Sequence, residues 1–256
     1  MQILTCEQRS VEWYAARCGR PTASGFCNIV TATGKPRTGA ARTAYLHDLV
    51  GDAVAGSPGD QFDTYAMQRG RELEPAAREA YELHTCREVQ EVGFCLSDDG
   101  LYGASPDGLV GEDGGLEIKC PQRRNMVAYL LQDRPVEAHY IQVQGCMWVT
   151  GRQWWDYWVY SPEGEFPCGL WRIEPDAAVQ DALAKYVPQF CQEVAETVEK
   201  IYQRGVVDKK VAPKAKPEVV RGRIPVEKVK ELEAMYHRLN CGDDAFLVEK
   251  IHRRGV

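Results

Sequence analysis

The stretch Ser105–Pro121, SPDGLVGEDGGLEIKCP, places Asp107 ten residues ahead of the triplet Glu117-Ile118-Lys119, with the Gly-rich segment Glu112-Asp113-Gly114-Gly115 between them. Two short runs, Gly108–Val110 and Leu116–Cys120, flank this Asp-Gly turn signal and read as the arms of a β-hairpin. Side chains alternate along a strand, so Glu117 and Lys119 share one face while Ile118 points into the core. The hairpin folds Asp107 back beside them. Two carboxylates and an ammonium in one patch offer oxygen ligands to a hard divalent cation, and the lysine can hold or deprotonate a water attacking phosphorus. A solvated hairpin carrying an exposed Glu-x-Lys pair is the competing reading of the same spacing. The flanks favour a site, because a Glu and a Lys inside an otherwise apolar strand make a poor surface edge. The pattern is that of a metal-dependent nuclease.

Outward from the hairpin, the chain alternates between helical and strand periods. Ser10 is placed to cap a helix over Val11–Cys18, and Pro21-Thr22-Ala23-Ser24 leads into a second over Gly25–Thr31. Helical spacing marks Arg42–Val54 and, over a longer span, Phe62–Leu83. Glu88–Leu96 and Leu101–Ala104 read as strands before the hairpin. After it come a helix near Arg124–Leu131, a buried helix over Glu137–Thr150, strands at Gln153–Tyr160 and Leu170–Ile173, and a long helix over Asp176–Gln203. The expected fold class is α/β, a central mixed β-sheet flanked by helices. Residues 1–204 form the expected domain, 205–225 a Lys/Pro-rich linker, and 226–256 a helical extension with apolar positions at Leu232, Met235, Tyr236, Phe246 and Ile251.

Composition bounds the function. The chain has 256 residues, 44% of them hydrophobic and 27% charged, as in ordinary globular proteins. No run approaches the ~18 apolar residues of a membrane helix, and MQILTCEQRS lacks a signal-peptide pattern. A cytoplasmic protein with no membrane partner is expected. The ten cysteines include no C-x-x-C pair, which disfavours zinc ribbons and clustered iron–sulfur ligation. The net charge of −6 is uneven: residues 1–50 hold six Lys/Arg against three Asp/Glu, 51–204 thirteen against twenty-six, and 205–256 twelve against eight. Basic ends around an acidic middle permit phosphate contacts beside a cation site. The chain has no G-x-S-x-G elbow and no P-loop, so neither a serine hydrolase nor an NTP-driven motor is indicated.

Three further blocks accompany the hairpin. Glu12-Trp13-Tyr14-Ala15-Ala16-Arg17 with Gly19-Arg20-Pro21-Thr22-Ala23-Ser24 matches a W-x-x-x-R…TAS pattern. Gly70-Arg71-Glu72-Leu73-Glu74 matches G-x-x-x-E, and Gln142–Thr150 matches QVQ-x-x-MWVT. In content and order, over about residues 10–200, these blocks resemble the phage lambda exonuclease family (YqaJ-type viral recombinases and alkaline exonucleases) of the PD-(D/E)XK nuclease superfamily. The resemblance implies a restriction-endonuclease-like core. It also implies a Mg²⁺-dependent 5′-to-3′ exonuclease on double-stranded DNA ends, with Mn²⁺ as a substitute and two ions per active site. Such an enzyme releases 5′-mononucleotides and leaves 3′ single-stranded tails for recombination by strand annealing. A ring-shaped homotrimer and a single-strand annealing recombinase as partner are implied as well.

Residue by residue, Asp107 and Glu117 are the expected metal ligands, with the Ile118 carbonyl as a third. Lys119 would orient the attacking water and stabilise charge. Glu74 reads from spacing alone equally as a solvated glutamate paired with Arg71 or Arg78; the resemblance makes it an acidic partner in the site. Gln142 resembles the glutamine that completes the family's site, while Gln144 lies on another face and reads as structural. A terminal 5′-phosphate needs a guanidinium fork with hydroxyl donors, and Arg17, Thr22, Ser24 and Ser105 supply that set. The aromatic run Trp154, Trp155, Tyr157, Trp158 reads as sheet core rather than a base-stacking platform. The five histidines show no paired ligand spacing and read as incidental. The competing functions are an endonuclease of the same superfamily and a DNA-binding scaffold with a decayed site. The complete Asp107, Glu117, Lys119 set weighs against decay.

Overall fold

A computed structural model describes residues 1–59, 64–132, 134–162 and 166–204. In chain order the elements are β1 (Gln2–Leu4), α1 (Val11–Arg17), a 3₁₀ turn (Ala23–Asn28), α2 (Ala40–Ala55), α3 (Tyr65–Thr85), β2 (Val89–Gln90), β3 (Phe94–Leu96) and β4 (Gly103–Ala104). There follow β5 (Gly108–Val110), β6 (Gly114–Lys119), α4 (Arg123–Leu130), α5 (Glu137–Thr150), β7 (Trp154–Val159), β8 (Gly169–Ile173) and α6 (Ala177–Arg204). Five strands form one sheet in the order β2-β5-β6-β7-β8, with β6 and β7 parallel and every other neighbouring pair antiparallel. The parallel pair needs a crossover, which α4 and α5 provide. A small antiparallel sheet, β1-β3-β4, stands apart. The fold is the expected mixed α/β arrangement; the linker and helical extension expected beyond residue 204 lie outside the described residues.

The two faces of the large sheet bury different helices. Alternation along β7 sends Trp155, Tyr157 and Val159 into the main core with Phe26, Ile141, Leu183 and Phe190. Trp158 faces the other way and packs with Leu116, Ile118, Ala77 and Tyr81 beneath α3, donating from Nε1 to the Ala77 carbonyl at 3.0 Å. The aromatic strand is therefore core, as its alternation predicts. Glu117 consequently lies on the α5 side of the sheet and Ile118 on the α3 side, so two helices converge on one strand end.

Local departures from the sequence reading have steric causes. Gly114 and Gly115, expected in the hairpin turn, belong to β6; a Cβ on them would stand 2.0 Å from the Trp154 ring and 2.4 Å from the Trp155 ring. Their bareness serves packing, and Gly111, at φ +57°, makes the turn. The single strand expected over Glu88–Leu96 splits between two sheets, because the N-terminal segment crosses at Gly93, where a Cβ would lie 2.0 Å from the Cys6 carbonyl oxygen. The helix expected over Gly25–Thr31 is a 3₁₀ turn beginning at Ala23. β1 carries no period long enough to be read from three residues. Ser10 caps α1 as expected, its hydroxyl accepting from the Trp13 amide at 3.3 Å.

Candidate active site

The hairpin register sets Gly108 opposite Leu116 and brings Asp107 against the far end of β6. There Asp107 Oδ2 accepts a hydrogen bond from the Ile118 amide at 2.7 Å. Glu117 is buried, 1% exposed, and its two oxygens differ. Oε1 accepts from Gln142 Nε2 at 2.7 Å and from the Lys119 ammonium, while Oε2 is buried with no partner. A buried carboxylate oxygen without a donor is costly unless something absent from the protein completes it.

Electrostatics around this pair are unbalanced in one direction. Burial pushes the Asp107 carboxyl well above the ordinary carboxylate range, and the charge of Glu117 pushes it further, against Lys119, the Ile118 amide and Arg78. Burial alone would lower Lys119, but Glu117 and Asp107 outweigh it and hold the ammonium above its usual value. Lys119 is thus a fixed positive charge. Its geometry suits orienting a water and neutralising charge better than accepting a proton.

Glu74 reaches the same place from α3. It is paired with Arg78, one helical turn on, at 3.0 Å and with Arg9 at 3.4 Å. Burial, then Asp107, raises its carboxyl above the ordinary range. Arg78 also donates to the Asp107 main-chain carbonyl at 3.3 Å, tying α3 to the hairpin. A cavity of about 520 Å³ opens here, lined among others by Glu74, Asp107, Ile118, Lys119, Tyr129 and His139.

A second cluster adjoins the first through Ser105. Arg17 donates from Nη1 to Ser105 Oγ at 2.8 Å and from Nη2 to Thr22 Oγ1 at 3.3 Å; Thr22 Oγ1 and Ser24 Oγ are 3.2 Å apart. The Trp13 ring lies under the guanidinium, 4.2 Å from its carbon, and Trp13 Nε1 also donates to Ser105 Oγ at 2.9 Å. Burial lowers Arg17 to about 10, so it stays charged at neutral pH. Its hydrogen-bond partners are neutral hydroxyls, and no described carboxylate pairs with it. A half-buried guanidinium without a counter-ion is the complement of an anion.

The structure therefore bonds Lys119 and Gln142 to Glu117, sets Asp107 on the neighbouring Ile118 amide with Glu74 beside it, and gathers Arg17, Thr22, Ser24 and Ser105 into the next cluster. Gln144 is buried and structural, donating to the Glu174 carbonyl at 2.8 Å and accepting from the Asp176 amide at 2.9 Å. Sequence reasoning named Arg78 as a partner of Glu74 but missed Arg9 there, Trp13 as the support of Arg17, and His139 with Tyr129 as cavity walls. Two of these had a signal. Trp13 and Arg17 are spaced i, i+4, and His139 precedes Gln142 by three, so each pair shares a helix face. Arg9 had none, since its left-handed backbone, φ +70°, follows from how the N-terminal segment wraps the site.

Among the described residues no group of three or more His, Cys, Asp and Glu side chains could hold a metal ion. Two carboxylates do meet, however, and a hard divalent ion that keeps waters and substrate oxygens in its shell needs only one or two. The partnerless Glu117 Oε2 and the desolvated Asp107 fit such an ion.

The sequence pattern described as the YqaJ-like viral recombinase domain matches residues 12–153. No curated protein matches. Among solved structures, the alkaline exonuclease LHK-Exo from Laribacter hongkongensis is 34% identical with a TM-score of 0.68, the alignment covering 75% of this chain and 96% of that one. The same protein in complex with dAMP matches equally. A phage-related exonuclease from Haemophilus somnus 129PT, at 13% identity and a TM-score of 0.52 over 72% of this chain and 96% of that one, shares the fold. With more than half of its length matched by the family pattern, and nearly the whole of a 34% identical exonuclease superposed on it, the chain belongs to the YqaJ-like viral recombinase family.

Proposed function

We propose that the protein is a metal-dependent exonuclease that degrades double-stranded DNA from 5′-phosphorylated ends, releasing 5′-mononucleotides and leaving 3′ single-stranded tails. The observation that carries this reading is Glu117: buried, gripped on one oxygen by Lys119 and Gln142, and without a donor on the other, beside a desolvated Asp107. Asp107, Glu117 and the Ile118 carbonyl would hold Mg²⁺, with Mn²⁺ as a substitute. The ion would supply Lewis-acid polarisation of the phosphate and a more acidic water. Lys119 orients the attacking water and offsets charge on the phosphate. Gln142 keeps Glu117 in its ligating rotamer. Glu74, held by Arg9 and Arg78, is the acidic partner on the α3 side. Arg17, with Thr22, Ser24 and Ser105, reads the terminal phosphate and so restricts cutting to ends. Family membership and likeness to an alkaline exonuclease solved with dAMP support the DNA substrate.

A ring of three subunits, a single-strand annealing recombinase as partner and a cytoplasmic site of action belong to the same proposal. Nine free cysteines among the described residues suit a reducing compartment. The test is digestion of linear duplexes labelled at either end, with and without 5′-phosphate and Mg²⁺. Release of 5′ label as mononucleotide, fastest from phosphorylated ends and only with the metal, is expected. Cutting of covalently closed plasmid, or release from 3′ ends first, would replace this reading with that of an endonuclease or of the opposite polarity.

A further inference from the structure

His139 takes no part in the chemistry derived above, yet it lines the catalytic cavity with Lys119 and Tyr129. It stands on α5 three residues before Gln142, so both side chains leave the helix toward the end of β6. Its Nδ1 is 2.7 Å from the hydroxyl of Tyr157 and 3.3 Å from that of Tyr129. Tyr157 is itself buried and sits directly opposite Glu117 in the parallel β6–β7 register. The Tyr129 ring stacks on the imidazole, centroids 5.9 Å apart and planes within 8°. Two rings and a bonded hydroxyl thus fix the imidazole in place, and Nε2 has no protein partner among the described residues.

The chemistry of this contact selects a tautomer. A phenol O–H is a better donor than a neutral imidazole N–H, and an imidazole nitrogen is a better acceptor than a phenol oxygen. The proton between Tyr157 and Nδ1 therefore belongs to the tyrosine, and the ring proton is left on Nε2. Tyr129 can then donate within the same triad, whereas the opposite tautomer would turn one hydroxyl proton out of it. Burial, and after it the charge of Lys119, holds the imidazole down at about 3, so the ring is neutral.

We infer that His139, locked by Tyr157 as its Nε2–H tautomer, donates from Nε2 to an oxygen of the phosphate cleaved in this cavity, beside Lys119. Tyr157 is then a positioning residue and His139 a substrate-contacting one. The identity of the phosphate rests on the function proposed above; the tautomer and its free N–H are properties of this chain.

The test joins spectroscopy to kinetics on the full-length protein. The imidazole nitrogen-15 spectrum, assigned with His139→Gln, should show His139 neutral with its proton on Nε2. Adding dAMP with Mg²⁺ should move that N–H signal, and Tyr157→Phe should release the tautomer lock. In hydrolysis, His139→Leu should lower kcat by about 100-fold with KM little changed, the size expected for one lost donor to developing charge. His139→Gln, whose side-chain amide can place a donor near the Nε2 position, should recover most of the loss. A proton on Nδ1 in the free protein, an N–H signal indifferent to dAMP, or wild-type turnover in a folded His139→Leu variant would each overturn the inference. Should the wild type hydrolyse no DNA with any divalent ion, the proposed function fails, and the spectrum and its response to dAMP still decide the role of His139.

Discussion

The carboxylate cluster at the end of β6 and the arginine cluster at the end of α1 meet at Ser105-Pro106-Asp107, and they are built on opposite principles. In the first, the buried Glu117 and the half-buried Asp107 face one lysine, and one oxygen of Glu117 is left without a donor. In the second, one half-buried guanidinium bonds the hydroxyls of Ser105 and Thr22, with Ser24 behind Thr22, over a tryptophan ring. One cluster lacks a cation and the other lacks an anion. On the proposed function, the scissile phosphodiester with its divalent ion would fill the first cluster and the terminal phosphate of the same strand the second. The comparison also predicts how each cluster fails when altered. Losing a carboxylate removes the chemistry, whereas losing the arginine removes a preference.

The largest effect separates the two directly. Asp107→Ala and Glu117→Ala should each abolish Mg²⁺-dependent hydrolysis, a loss on the order of 10³-fold or more, because each deletes a proposed ligand of an ion that would stabilise the transition state by several kcal/mol. Substantial metal-dependent turnover in either variant, measured on a phosphorylated linear duplex, would break the assignment. Lys119→Gln keeps much of the bulk without the charge and should cost roughly 10²–10³-fold. Activity near wild type would mean that the lysine serves packing alone.

Arg17→Ala tests the other side. The guanidinium gains charge-assisted bonds to a terminal phosphate and nothing comparable on a hydroxyl end, about 1.5–3 kcal/mol. The ratio of initial rates on phosphorylated and hydroxyl ends should therefore fall by roughly 10- to 100-fold, with slow hydrolysis persisting on both. An unchanged ratio would show that Arg17 does not read the end.

Smaller effects concern stability. Because the Asp107 carboxyl is pushed above its unfolded value, the fold is most favoured where that group is protonated, and this contribution is lost as pH rises from the ordinary carboxylate range through the raised folded value. In EDTA at neutral pH, Asp107→Asn should accordingly raise Tm by about 2–4 °C, the shift that ~1 kcal/mol produces in a chain of this size. Saturating Mg²⁺ should stabilise the wild type more than the variant and reduce or reverse the gap. A lower Tm for the variant in EDTA would mean that its bond from the Ile118 amide outweighs the repulsion. The smallest effect is expected from truncation after Gly205, which should leave hydrolysis of short duplexes intact, since every assigned site residue precedes it. Complete loss of activity in a folded truncation would place the tail in the catalytic core.

Some of the site was readable because its geometry is local. Strand alternation alone put Glu117 and Lys119 on one face, and the hairpin alone returned Asp107 to them. The helix bearing Gln142 was recognisable over its full length, and its period separated Gln142 from Gln144. Phosphate chemistry and the resemblance, which supports Arg17, Ser24 and Ser105 most, placed these three and Thr22 in one group, although Ser105 is 88 residues from Arg17. What escaped notice was of two kinds. Arg9 is an ordinary surface-type cation until Glu74 is known to face inward. His139 is an isolated histidine until Tyr157 and Lys119 are known to surround it.

The sequence by itself determined the α/β order of elements, the acidic hairpin and the family blocks, because propensity, period and turn chemistry act over a few neighbouring residues. Only the tertiary structure decided which oxygen of Glu117 is left without a donor, that Glu74 is held by two arginines, and that His139 walls the cavity with Nδ1 bonded to Tyr157. Those facts depend on the parallel register of β6 against β7 and on α3 and α5 closing on opposite faces of the same sheet. Packing between elements far apart in the chain sets them, and no local pattern encodes a register.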